Sequence, residues 1–293
     1  MDRAQHNEVI QIVTDSSCDL PRELLNCLKI AVVPLVVNFG TESYSDGELS
    51  PQAFWEKAAE GPAPQTSRPS PGAFEQVFKG LVEQGRKVLC ITLTGKHSGT
   101  AETARLAAER FGAMVQVFDS YSLSLGVGFQ AVAAAKAAEA GCSIGDIVAL
   151  LEDLRSRIRT MVVLDTLENV RRGGRADGFI AIVDRMTRML NIKPIVGFEE
   201  GRLQLFGVAR SFRRALERVV EMVEGVGPLE HLAVAHTRNR EKAEDMADRL
   251  AERFDFPRRR MLVREAGAVV ASHAGPGAIG VFAVPGPLKR TCQ

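Results

Sequence analysis

Hydroxyl side chains recur at the ends of the predicted strands in the first half of the chain. Residues 14–17 (TDSS) follow an apolar strand, residues 92–94 (TLT) end a second strand, and residues 119–120 (DS) end a third. The carboxyl ends of parallel strands share one edge of an open sheet, and ligands bind at that edge. The spacing therefore predicts a polar ligand site there.

The most informative of these groups is Ser98, with Gly99 and Thr100, at the start of a predicted helix. Free backbone N–H groups and the helix dipole favour an anion at such a terminus. Gly99 permits a close approach to the backbone. Ser98 is also an ordinary N-cap residue, and spacing alone leaves both interpretations open.

Several classes of chemistry are excluded by pattern. Residues 95–99 (GKHSG) resemble the nucleophile motif G-x-S-x-G but are one residue out of register. No Walker A motif is present, and no G-x-G-x-x-G motif follows a strand. The five histidines form no HExxH pair, and the five cysteines form no CxxC pair. We predict no metal and no cofactor.

Three further loops carry candidate residues. Residues 66–70 (TSRPS) form a polar loop between two predicted helices, which either brings Thr66 to the sheet edge or only caps the next helix. Residues 171–175 (RRGGR) form a basic loop suited to a phosphate or a partner, or a solvated turn. Residues 273–277 place His273 on a predicted tight loop before a buried strand.

The elements that position these residues predict two domains, 8–155 and 156–286. In the first, strands alternate with helices, which indicates right-handed crossovers and a mostly parallel α/β sheet. In the second, IKPIVGF and LQLFGVA flank a Gly201 turn and predict a hairpin. The second domain is therefore a smaller α+β domain with a mixed or antiparallel sheet.

Charge and hydropathy bound the remaining classes. The net charge of +1 on 293 residues argues against a nucleic-acid-binding protein. Residues 1–150 carry 12 basic and 17 acidic side chains, and the rest carry 25 and 19, which indicates either two different surfaces or two solvated faces. No apolar run is long enough to span a bilayer, and no signal-peptide core is visible, so we expect a cytoplasmic protein.

In chain order, these motifs resemble the DegV family. The resemblance is carried by residues 12–21, 66–70, 98–100, 119–120, 167–175, 191–195 and 273–277. It implies an N-terminal parallel-sheet α/β domain, a smaller C-terminal α/β domain and a long-chain fatty acid in a tunnel between them. It also implies the fatty-acid-binding subunit of a bacterial fatty-acid kinase, which presents the carboxylate to a separate ATP-binding subunit for acyl-phosphate formation.

Carried onto this chain, the resemblance implies that Thr66 and Ser98 hydrogen-bond the carboxylate. The full set of expected ligand-binding residues is Thr66, Ser98, Gly99, Thr100, Ser120 and His273. Arg175 is expected to serve phosphoryl transfer or kinase docking, with His273 near the reacting carboxylate. On this hypothesis the chain is not an enzyme by itself. The alternatives are a free-standing hydrolase or phosphotransferase acting on a small anion, and a fatty-acid buffer or sensor without a kinase.

Overall fold

The structure is a computed structural model that describes residues 9–165, 168–172 and 192–286. The chain divides into two compact units. One comprises Met1–Arg155 with Gly267–Val270, and the other comprises Ser156–Ala266 with Ala271–Gln293. The first unit thus includes a short segment from the far end of the sequence, which no local pattern predicts.

The N-terminal part of the chain alternates strands and helices. Its elements are β1 (Ile10–Asp15), α1 (Arg22–Cys27), β2 (Ala31–Val33), β3 (Val36–Phe39), β4 (Glu42–Ser45), α2 (Pro51–Glu60), β5 (Gln65–Ser67), α3 (Pro71–Val82), β6 (Lys87–Thr92), α4 (Thr100–Ala108), β7 (Val115–Asp119), α5 (Leu125–Glu139) and α6 (Ile144–Arg157). Strands β2, β1, β6 and β7 form a sheet in that order, and every pair is parallel. The predicted parallel sheet is confirmed.

A small antiparallel sheet with the order β4-β3-β5 accompanies the parallel one. The β-rich segment 30–39 (IAVVPLVVNF) predicts a single strand that Pro34 makes an edge or bulged strand. It divides instead around Pro34 into β2 and β3, which belong to different sheets. Proline lacks an N–H group for a sheet ladder, so it favours such a break. Residues 66–70 were predicted as a loop, yet Thr66 lies on β5.

One face of the parallel sheet packs against α3 and α4. Val13, Cys90, Phe74 and Phe78 are all fully buried in this core. The start of α3 follows the Ser-Pro pattern, because Ser70 Oγ accepts a hydrogen bond of 3.2 Å from the Ala73 N–H and proline occupies the first turn. Helix α5 also packs on β1, so the apolar strand is covered as a parallel sheet requires.

The second unit is built on a mixed sheet. Its described elements are β8 (Arg159–Val163), α7 (Glu168–Arg172), β9 (Lys193–Glu199), β10 (Arg202–Ala209), α8 (Phe212–Glu224), β11 (Leu229–His236), α9 (Arg240–Arg253), β12 (Leu262–Glu265), α10 (Ala268–Ala274) and β13 (Ile279–Pro285). The first three residues of α10 belong to the first unit. The order is β10-β9-β8-β13-β11-β12, antiparallel except for the β11–β12 pair. The predicted hairpin is present as β9 and β10.

No helix in the described parts of the chain has both the length and the apolar character needed to cross a membrane.

Candidate functional site

Ser98 lies just before α4, at the carboxyl edge of the parallel sheet. The N-cap of this helix is Gly99 rather than Ser98, and it makes no side-chain cap hydrogen bond. The Ser98 hydroxyl lies 2.8 Å from the Thr100 hydroxyl and accepts a weaker hydrogen bond of 3.3 Å from the Thr100 N–H. Both side chains are buried. Two hydroxyl groups therefore meet at the positive end of a helix, where an anion is favoured.

Arg68 joins the Thr66 segment to the Ser98 segment. Thr66 pairs with Val37 of β3, and the chain leaves β5 directly toward Arg68. The Arg68 guanidinium packs against the backbone of Gly99. A Cβ built on Gly99 would overlap this guanidinium and would lie only 3.0 Å from Arg68 Cδ. Gly99 was predicted to allow a close approach to its backbone, and the side chain that approaches it is Arg68 of the same unit. The structure brings the two candidate segments together.

Two carboxylates hold the loop that leads to Ser98. Asp15 Oδ2 accepts a hydrogen bond of 2.7 Å from the Leu93 N–H. The Asp119 carboxylate accepts from the Gly95 N–H, at 3.0 and 3.1 Å from its two oxygens. A Cβ at Gly95 would lie 2.6 Å from Asp119 Oδ2, so this approach requires glycine. The strand-end aspartates therefore fix the loop geometry.

Ser120 is buried in the neighbouring loop. Its hydroxyl accepts a hydrogen bond of 3.1 Å from the Ser122 N–H, and its carbonyl accepts one of 3.1 Å from the Gln130 amide. These bonds order the segment between β7 and α5. A contact between Ser120 and a ligand stays a prediction.

Asp15 is the most perturbed acid of this edge. It is completely buried, and this burial raises the pKa of its carboxyl group to about 6. Hydrogen bonds from Ser17 and Leu93 oppose the shift, whereas the nearby Asp46 carboxylate adds to it. Burial also raises the pKa of Asp46. Burial therefore favours the protonated form of both acids.

The segment Gly267–Val270 is bound to the first unit through aspartates. The Gly267 N–H donates to Asp19 Oδ1 at 2.8 Å, and Asp46 accepts from the backbone N–H groups of Ala268 and Val269. A Cβ at Gly267 would stand 3.2 Å from the Asp19 oxygen, tighter than side chains normally pack. Helix α10, which carries His273, begins at this segment.

His273 was predicted on a tight loop, and this prediction is wrong, because His273 lies in the last turn of α10. The turn follows it, with positive φ values at Gly275 and Gly277. The Thr237 hydroxyl donates to the Gly275 carbonyl at 2.5 Å, and the Asn169 amide donates to the Ser272 carbonyl at 3.4 Å. These bonds fix the backbone on both sides of the histidine within the second unit.

Arg175 and the two glycines before it lie outside the described residues. Arg171 and Arg172 form the end of α7, where Arg172 makes an i,i+4 ion pair with Glu168. Among residues 9–165, 168–172 and 192–286, no group of three or more metal-ligating side chains could hold a metal ion.

Sequence reasoning missed the residues that brace the site. The sequence assigns no role to Arg68 or Asp46, predicts Asp19 only as a helix cap, and places Asp119 only in a strand-end motif. The available signal was weak, namely single acids beside strand ends and one cation in a Ser-Pro loop. Their partners lie far away in the sequence, as the 248-residue separation between Asp19 and Gly267 shows.

The fold and the site define a class of α/β protein. A parallel sheet ends in hydroxyl-bearing loops around an uncapped helix terminus, and a separate mixed sheet carries the histidine helix. The chain belongs to the DegV family: residues 9–286 match the family described as "Uncharacterised protein, DegV family".

Relatives support the same assignment. A DegV domain-containing protein of Deinococcus radiodurans is 38% identical over 279 residues, covering 94% of this chain and 98% of that protein. A second, from Caldanaerobacter subterraneus, is 32% identical over 280 residues, with 94% and 98% coverage.

Solved structures share the fold. A DegV family protein from Thermus thermophilus, described by its fatty-acid binding, superposes with a TM-score of 0.86 at 34% identity, covering 94% of this chain and 99% of that one. DegV from Bacillus subtilis, described as a fatty acid binding protein, has a TM-score of 0.84 at 28% identity, with 95% and 100% coverage. A stearic acid-binding protein from Eubacterium ventriosum has a TM-score of 0.84 at 25% identity, with 94% and 98% coverage.

Proposed function

We propose that this protein binds one long-chain fatty acid, whose carboxylate accepts hydrogen bonds from Thr66 and Ser98. The proposal rests on one contact: Arg68, two residues after Thr66, packs against Gly99, the residue after Ser98. The Thr66 and Ser98 segments therefore lie together at the start of α4. The description of the Thermus thermophilus protein, at 34% identity over 94% of this chain, supports the ligand class.

The energetics of a fatty acid suit such a site. Burying about 15 methylene groups contributes on the order of 12 kcal/mol before the cost of ordering the acyl chain and losing its free motion. A buried carboxylate without hydrogen-bond donors would cost several kcal/mol. The hydroxyl groups of Thr66 and Ser98, with the start of α4, supply such donors.

We further propose that the bound acid is a substrate for a separate ATP-binding kinase subunit, which transfers a phosphoryl group to the carboxylate. In this role Thr100 and Ser120 line the head-group end of the site, His273 lies near the carboxylate, and Arg175 meets the transferring phosphoryl group or the partner. The support is the family membership and the basic composition of residues 151–293.

Binding is tested by titrating delipidated protein with radiolabelled oleate in equilibrium dialysis. The proposal expects saturation at one oleate per chain, and Thr66→Val should lower the affinity about 10- to 150-fold through loss of one charged hydrogen bond. Failure of the unmodified protein to bind oleate or any other long-chain fatty acid would contradict the proposal.

The kinase step is tested with Arg175→Ala and a kinase subunit encoded by the same genome. We expect unchanged oleate affinity and reduced acyl-phosphate formation. A loss that more kinase restores, and that salt aggravates, indicates docking, whereas a loss at saturating kinase indicates phosphoryl transfer. Unchanged turnover would remove the role given to Arg175.

A further inference from the structure

Arg68 stands in an electrostatically unusual position. Its guanidinium lies on Gly99, at the positive end of α4, where a cation is disfavoured and an anion is favoured. Arg68 is exposed, and the end of its side chain occupies the space that a side chain at position 99 would take. The sequence pattern assigned no cationic side chain to this place.

No acidic partner explains this position. Arg110, elsewhere in the first unit, pairs with Glu75 at 2.9 Å, but no carboxylate in the described parts of the chain forms an ion pair with Arg68. The Asp119 carboxylate, at the end of β7, accepts hydrogen bonds from the Gly95 and Tyr121 N–H groups. The positively charged Arg68 therefore lies at the positive end of α4, and no carboxylate of the described residues forms an ion pair with it.

The hydroxyl groups of Ser98 and Thr100, which flank Gly99, cannot by themselves discriminate strongly between ligands. Serine and threonine hydroxyls both donate and accept hydrogen bonds, so they can serve a carboxylate, an alcohol or an ester. A guanidinium group only donates and always carries its charge, so it favours an anion. Arg68 is the side chain at this helix terminus with that property.

We propose that Arg68 is a specificity-determining residue that selects an ionised carboxylate head group over an uncharged one. This inference rests on the proposed fatty-acid function of the same site. It adds a residue that determines head-group specificity. Contacts to the acyl chain and to the hydroxyl groups would be the same for charged and neutral lipids, so they cannot provide this specificity.

The test compares oleate with oleyl alcohol, which has the same chain and a neutral head group. Both are titrated against the unmodified protein, Arg68→Gln and Arg68→Lys. Lys96→Gln is the matched control, because this exposed lysine belongs to the same loop but lies over Tyr121, 5.8 Å from the ring centre.

Arg68→Gln should weaken oleate binding about 3- to 10-fold, between the effects of an exposed ion pair and of a charged hydrogen bond. Its affinity for oleyl alcohol should stay within about twofold, Arg68→Lys should keep most of the preference for oleate, and Lys96→Gln should change neither ligand. The inference is overturned if Arg68→Gln weakens both ligands equally, or if Lys96→Gln matches it. If the unmodified protein binds neither lipid, the proposed function itself fails.

Discussion

Replacement of Ser98 by alanine separates a ligand contact from a purely structural hydroxyl. Ser98 Oγ pairs with the buried Thr100 hydroxyl at 2.8 Å and accepts only a long bond of 3.3 Å from the helix N–H. Loss of a hydrogen bond to a charged acceptor costs about 1.5–3 kcal/mol, so oleate affinity should fall about 10- to 150-fold.

The same change also has a stability cost. The Thr100 hydroxyl loses its partner, and an unsatisfied buried hydroxyl costs about 1–3 kcal/mol. For a unit of this size, each 1 kcal/mol lowers the melting temperature by about 2–4 °C. Affinity must therefore be measured on protein that is shown to be folded.

Ser70→Ala is the matched control, because Ser70 is a true N-cap with a bond of 3.2 Å to the Ala73 N–H. It should cost about 1 kcal/mol of stability and leave oleate affinity unchanged. Melting curves and equilibrium dialysis with radiolabelled oleate give both quantities for both variants. If Ser98→Ala lowers the melting temperature but leaves the oleate dissociation constant unchanged, Ser98 is a structural residue and the head-group assignment is refuted.

Three further predictions concern the frame around the site. Burial raises the pKa of Asp15 from 3.8 to about 6, so the folded state binds its proton more tightly and the contribution of Asp15 to stability falls as pH rises through this window. Urea unfolding should therefore show that the stability of Asp15→Asn relative to the unmodified protein increases by about 2 kcal/mol between pH 4 and pH 7. A difference that does not change with pH would contradict burial as the cause of the raised pKa. Gly267→Ala should increase amide hydrogen exchange over residues 267–274, because a Cβ would crowd the Asp19 carboxylate; unchanged exchange would show that the segment tolerates the methyl group. Phe74→Ala should cost about 3–5 kcal/mol in chemical denaturation, since Phe74 is fully buried, and a cost below 1 kcal/mol would show that the core closes around the gap.

Much of the fold is predictable because its signals are local. Strands β1 and β6 are apolar runs between polar ends, and the Ser-Pro pairs mark the starts of α2 and α3. The hairpin of β9 and β10 follows from its Gly201 turn. Strand β5 is different, because its three residues are polar and acquire strand geometry only by pairing with β3.

The residues of the candidate site likewise fall into those that the sequence can predict and those that it cannot. Thr66 and Ser98 stand out as hydroxyls in loops with recognisable motifs, so the sequence can nominate them. The contact of Arg68 with Gly99 and the bonds of Asp19 and Asp46 to residues 267–269 are tertiary. They depend on how distant segments pack, and a single sequence carries no periodic signal for such packing.

The most direct test of fatty-acid binding is native mass spectrometry of the purified protein before and after organic extraction. Fatty-acid binding predicts a mass above that of the 31.8 kDa chain by one long-chain fatty acid, loss of that increment on extraction, and recovery of the acid in the organic phase. Oleate added to the extracted protein should restore the increment. A spectrum that shows only the chain mass, both at purification and after oleate is added, would contradict the proposed function.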